Sequence, residues 1–214
     1  MNKLPLPSEP TPYVNVMRHL GLAPDDWQRA FLESTAPRVL LNCSRQAGKS
    51  TVVAVMALVR ALFEPMTRVL IVSRSHRQAK ELFRQITFYH RLLGDRLLER
   101  RTAEEMQLEN LSRIVCVPCK EETIRGFAHV DLLIIDEAAR VPDTLYRAVR
   151  PMLAVSKGRL ICLSTPYGKR GFFWDAWARG EGCTVATAMG RKGWGRAAPG
   201  WKPGLPNFFR ELDT

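Results

Sequence analysis

The stretch STVVAVMALVRALF (50–63) is too long for an ordinary strand and apolar nearly all the way round. A helix of that kind has no face to offer water, so it has to be sandwiched inside a layered core. It follows RVLLNC (38–43), a short apolar run bounded by Pro37 that reads as a buried strand. The same alternation continues. RVLIVS (68–73), RIVCVP (113–118), DLLIID (131–136) and GRLICLST (158–165) read as further strands. Residues 75–93 form a helical pattern with Ala79, Leu82, Phe83, Ile86 and Leu93 on one side, and 172–180 a short aromatic helix. Strands alternating with helices predict an α/β fold with a mainly parallel sheet flanked by helices on both faces.

Around this core the pattern weakens. Residues 1–24 are rich in proline and read as an extended arm, followed by a short helix from Asp25 with an acidic first turn. Residues 95–112 are charged and carry little period. The ordered domain is expected over 25–180, with 181–214 an irregular basic tail rich in Gly, Pro, Arg and Trp. No internal repeat is present.

The chain of 214 residues carries a formal net charge of +11, an attractive field toward polyanions such as nucleic acid. It has no run of eighteen apolar residues, and its start lacks the apolar region of a secretory signal. Its five cysteines read as reduced thiols in a cytoplasm-like compartment. Cys116 and Cys119 form a C-x-x-C with no second pair and no adjacent histidines, so they read as strand cysteines rather than half a zinc site. His19, His76, His90 and His129 are too scattered for a metal set.

Between the first strand and the sandwiched helix lies CSRQAGKST (43–51), a phosphate loop whose usual opening glycine is Cys43. Backbone N–H groups of residues 45–50 can wrap phosphates, helped by the helix N-terminus. Lys49 then reaches the β- and γ-phosphates, and the Ser50 hydroxyl is a Mg²⁺ ligand. The missing glycine leaves two alternatives open: a strained left-handed Cys43, costing about 1–2 kcal/mol, or a differently drawn turn with Cys43 still in the strand. Arg45 offers a guanidinium fork near the γ-phosphate. Downstream, LLIIDEAA (132–139) is an apolar strand ending in two acids. Asp136 is placed to hold Mg²⁺, and Glu137 to orient or deprotonate the attacking water.

SRQAGKS, the strand ending IIDEA, and LSTPYGKRGFFWDAW together resemble the ATPase half of the terminase large subunit, the motor that packages DNA in tailed phages and prophages. The resemblance spans 25 to about 180 and implies an ASCE-type P-loop NTPase. It also implies a site. Gln28, Arg45, Gln46, Ala47, Gly48, Lys49, Ser50 and Thr51 would bind ATP, Gln28 through adenine. Arg125 would act in a neighbouring subunit's site alongside the catalytic Lys49 and Glu137, Ser164-Thr165-Pro166 would couple hydrolysis to movement, and Ser50 and Asp136 would hold Mg²⁺. The implied partners are double-stranded DNA, a portal and a small terminase subunit, in a homo-oligomeric ring formed from monomers, in the bacterial host cytoplasm and away from membranes.

One departure from the family pattern is that the tail holds only Glu181, Glu211 and Asp213, too few acids for the metal-dependent nuclease that follows in such proteins, so no nuclease activity is expected from this chain. Two other readings remain open on sequence: a truncated prophage remnant that binds nucleotide or DNA without turnover, and a helicase-like remodelling ATPase.

Overall fold

The computed structural model describes residues 12–118 and 129–179, with Glu122, Ile124, Gly126 and Phe127 between them and the backbone of two later strands. Nine strands among the described residues form one sheet in the order β3-β4-β5-β2-β6-β7-β1-β8-β9. They are β1 (Arg38–Cys43), β2 (Arg68–Ser73), β3 (Leu98–Arg101), β4 (Glu105–Leu108), β5 (Arg113–Pro118), β6 (Leu132–Asp136), β7 (Arg159–Ser164), β8 (Thr184–Ala188) and β9 (Phe209–Arg210). The central six, β5 to β8, are parallel. β4 and β3 extend one edge antiparallel, and β9 the other.

Side-chain alternation along each central strand divides the core in two. Val39 and Leu41, Val69 and Ile71, Leu132 and Ile134, Ile161 and Leu163 face one layer. It is built by α1 (Pro12–His19), α2 (Asp26–Glu33), α3 (Lys49–Phe63) and α4 (His76–Leu92). Leu40, Leu70, Val72, Leu133, Ile135, Leu160 and Cys162 face the other, built by α5 (Asp143–Ser156) and α6 (Gly171–Arg179). Helix α3 is the sandwiched one: from Val52 to Val59 every residue is buried. The sheet covers one side and α1, α2 and α4 the others, as its all-round apolar sequence requires.

Four segments differ from the sequence reading. Residues 12–19, placed in an extended arm, are the helix α1, which buries Val14, Val16 and Met17. Pro12 sits at its first position, where a missing N–H costs nothing, so proline content misled there. The weakly patterned 95–112 hold the hairpin β3–β4, whose inward residues Met106 and Leu108 are fully buried among charged neighbours. Residues Asp143–Ser156, given no element from sequence, form α5 despite an internal proline, Pro151. Within the supposedly irregular tail, Thr184–Ala188 pairs in parallel with β1.

Candidate active site

The phosphate loop leaves β1 at Cys43, which stays in strand geometry and pairs with Ala188. The left-handed turns fall instead at Gln46 (φ 60°) and at Gly48 (φ 81°), the N-cap of α3. Of the two ways to dispense with an opening glycine, the chain uses the redrawn turn. The strain of a side chain in that conformation, about 1–2 kcal/mol, moves to Gln46. Arg45 and Gln46 are exposed, Ala47, Ser50 and Thr51 half-buried, and Lys49 is buried at the first turn of α3. Thr51 Oγ1 accepts from Gln85 Nε2 at 3.1 Å, which ties the first turn of α3 to α4.

Asp136 ends β6 on the face that carries α3, two residues on from Ile134. Across the strands it stands level with Leu163 of β7, which stands level with Leu41 of β1. One strand therefore separates the loop strand from the acidic strand, a gap of about 10 Å. Burial first, then the neighbouring Glu137 charge, pushes the Asp136 pKa up to about 6, while the Glu137 N–H and the Lys49 charge pull it back. The Lys49 ammonium is thus close enough to act on Asp136 electrostatically. Asp136 Oδ1 accepts from Glu137 N at 2.9 Å, a single backbone donor that leaves this half-buried carboxylate with room for a cation. A carboxylate and a hydroxyl such as Ser50's are hard oxygen donors, the type that Mg²⁺ takes while keeping several waters. Among the described residues no group of three or more His, Cys, Asp and Glu gathers to hold a metal.

Glu137 follows in a left-handed conformation (φ 51°), so its side chain leaves the sheet in a different direction from Asp136. Arg140 Nε lies 3.6 Å from its carboxylate, and the Arg140 guanidinium sits 4.1 Å above the Tyr167 ring. Sequence reasoning missed both Arg140 and Tyr167. The only available signal was an arginine three residues after the glutamate, and that spacing on a turn says little. Ser164 and Thr165 are buried and Pro166 is exposed at the end of β7, with Ser164 Oγ donating to the Thr165 carbonyl at 2.9 Å.

Gln28 is buried on α2 and its amide is engaged at both ends. Oε1 accepts from Asp25 N at 3.0 Å and Nε2 donates to Ala47 O at 3.4 Å. A Cβ on Gly48 would collide with Gln28 Nε2, so the loop packs directly on this side chain. Arg125 lies outside the described residues, as does Cys119. Cys116 is a buried thiol in β5, its pKa raised to about 11 by burial.

Residues 40–181 match the sequence profile of the family described as terminase large subunit, T4likevirus-type, N-terminal. The chain belongs to this family. The terminase large subunit of Thermus virus P23-45 is 28% identical over 179 residues, covering 72% of this chain and 36% of that protein. A probable terminase large subunit of Enterobacteria phage P7 is 27% identical over 173 residues, covering 73% and 35%. The chain thus spans about a third of the length of the curated relatives it matches. In fold it is similar to the large terminase ATPase domain of Thermus phage P74-26, with a TM-score of 0.70 at 23% identity over 84% of this chain and 86% of that one. The large terminase of another thermophilic bacteriophage, solved in complex with ADP, gives a TM-score of 0.61 at 12% identity, over 80% and 44%.

In this terminase sequence a basic helix face on α4 and an aromatic pair on α6 lie apart from the residues above. Arg74, Arg77 and Arg84 are exposed, and Lys80 pairs with Glu104 at 2.7 Å. Trp174 and Trp177 pack on each other, with ring centroids 5.1 Å apart. No helix among the described residues is long and apolar enough to cross a membrane.

Proposed function

We propose that the chain is the ATP-hydrolysing module of a DNA-packaging motor, driving double-stranded viral DNA into a procapsid in the host cytoplasm. The observation that carries this reading is the alignment of Asp136 with the face of the sheet that holds Lys49 and α3, one strand away from the loop. A half-buried acid and a buried ammonium facing one gap at the C-terminal end of a parallel sheet suit a metal-bound triphosphate.

In this reading the backbone N–H groups of Gln46 to Ser50 and the Lys49 ammonium hold the phosphates, with Arg45 and Thr51 beside them. Ser50 and Asp136 would hold Mg²⁺, which neutralises charge on the phosphate oxygens when bound. Glu137 orients the attacking water and takes its proton. Arg125 serves the site of an adjacent subunit, so turnover requires a homo-oligomeric ring, assembled with a portal and a small subunit. Ser164, Thr165 and Pro166 respond to the γ-phosphate. Gln28 contacts adenine or, through Ala47 and Gly48, sets the shape of the loop.

The test is DNA-stimulated ATP hydrolysis by assembled protein, compared with Lys49→Ala and Arg125→Ala. Lys49→Ala is expected to lose ATP binding. Arg125→Ala is expected to bind ATP normally and lose turnover by about 10³-fold or more, with partial rescue when mixed with Glu137→Gln chains. Unchanged hydrolysis in Lys49→Ala would falsify the reading.

A further inference from the structure

The last two residues of β1 and the end of β7 hold an unsatisfied polar atom that the site described above does not use. Asn42 Oδ1 is buried and has no hydrogen-bond donor. Asn42 stands in register with Ser164 on the adjacent parallel strand. Leu40 on β1 and Leu160 and Cys162 on β7 share the α5–α6 side of the sheet, so strand alternation puts Asn42 and Ser164 on that same side. Neighbouring strands lie about 4.8 Å apart, which brings a serine hydroxyl within reach of an in-register amide oxygen. Ser164 instead donates to the carbonyl of its own neighbour, Thr165, at 2.9 Å. One donor therefore stands between two acceptors, and in this state it leaves the buried one, Asn42 Oδ1, unserved. Buried acceptors without donors are rare enough to need a reason, and a second state of the molecule is one such reason.

We infer that Asn42 is a positioning residue for the ATPase cycle: in the nucleotide-loaded state the Ser164 hydroxyl transfers its hydrogen bond from the Thr165 carbonyl to Asn42 Oδ1. This rests on the functional reading given above and adds a named linkage to it. Asn42 is followed by Cys43, Ser44 and the loop, while Ser164 opens the Ser164-Thr165-Pro166 segment. The exchange ties the strand that carries the phosphate loop to the strand that carries the coupling segment. It also frees the Thr165 carbonyl beside exposed Pro166, where water can replace the lost donor. The device is a hydrogen bond with two acceptors, and ligand binding selects between them.

The experiment compares wild type, Asn42→Leu, Asn42→Thr and Ser164→Ala as full chains. Amide hydrogen exchange over residues 160–170 is measured with and without ATP-γ-S and Mg²⁺, alongside nucleotide affinity, thermal unfolding and turnover in assembled protein. Asn42→Leu removes the unserved acceptor, so the empty protein is expected to be as stable as wild type or more so. Its affinity should stay within about threefold of wild type, while kcat falls about tenfold, as for a contact made only in the loaded state. The nucleotide-dependent protection of 160–170 should vanish. Asn42→Thr keeps an acceptor oxygen and should recover much of both, and Ser164→Ala combined with Asn42→Leu should be no worse than either alone. Asn42→Leu with wild-type kcat and wild-type protection overturns the inference while leaving the functional reading intact. Absence of Lys49-dependent ATP binding in wild type overturns both.

Discussion

Strand β6 is bracketed by two aspartates in opposite circumstances. Asp131, at its entry, is fully served: Oδ2 accepts from Arg68 N at 2.8 Å and Oδ1 faces His129 Nε2 at 3.0 Å. Its carbonyl accepts from Arg60 Nη1 at 3.1 Å and from Arg159 N at 2.8 Å. Asp136, at its exit, is half-buried beside a like charge, and its ionised form is disfavoured. The same exit end collects the left-handed Gln46 and Glu137 and the unserved Asn42 oxygen. The entry end of the strand is closed for stability, and the exit end is left uncompensated in a way that a cation and a nucleotide would complete. Substitutions at the exit should therefore spare or raise stability and abolish function, and substitutions at the entry should do the reverse.

The largest expected break is Glu137→Gln. In the role proposed for Glu137, loss of the general base should lower turnover by about 10²–10⁴-fold, and ATP affinity and melting temperature should stay near wild type. Loss of nucleotide binding in this variant would place Glu137 in the phosphate cradle rather than on the water.

Asp136→Asn sharpens the contrast. A native pKa of about 6 against an ordinary 3.8 means the folded state binds the extra proton between those values. Stability then falls as pH rises from about 4 to 6, and at neutral pH the ionised group costs up to about 3 kcal/mol. The asparagine variant escapes that cost, so the nucleotide-free protein should melt several degrees higher at pH 7.5 while losing Mg²⁺-dependent hydrolysis. A lower melting temperature would show that Asp136 is compensated after all. At the other end, Asp131→Ala strips acceptors from Arg68 N and His129. It should destabilise by about 1–2 kcal/mol and leave ATP affinity unchanged.

The same distinction explains what could be read from sequence. Strands buried on both faces write themselves as unbroken apolar runs, so Arg38–Cys43, Arg68–Ser73 and Arg113–Pro118 were legible to the residue. The strand–loop–helix context of GKS and the strand that ends at Asp136 were legible because each sits at the boundary of an unbroken apolar run. The hairpin was not, since only Met106 and Leu108 point inward and two alternating residues make no period. Helix α1 was hidden by the prolines around it, and α5 by Pro151 within it. Gln28 stood out only through the family resemblance, which gave it a contact with adenine and none with the loop. Its contact with the loop depends on α2 packing on α3, which no local pattern encodes. The Arg140–Tyr167 stack joins residues 27 apart and was equally invisible.

The smallest effect is the most discriminating, because it has the opposite sign. His90 on α4 is fully buried, its Nε2–H donating to Arg96 O at 2.8 Å and its Nδ1 accepting from Arg101 Nη2 at 2.6 Å. That arrangement needs the neutral ring. Burial lowers the His90 pKa below 6.5, with Arg101 adding to the effect and the Arg96 carbonyl and Asp95 opposing it. The unfolded chain therefore binds more protons just below pH 6.5, so this group's contribution rises with pH and is lost on acidification through that range. Asp136 contributes with the reverse slope at slightly lower pH. In a melting series from pH 4.5 to 7.5, Asp136→Asn should steepen the rise of stability with pH, and His90→Gln should flatten it. Parallel curves for the two variants would mean that neither group differs in protonation between the folded and unfolded chain, and the contrast between the two ends of β6 would then lose its electrostatic basis.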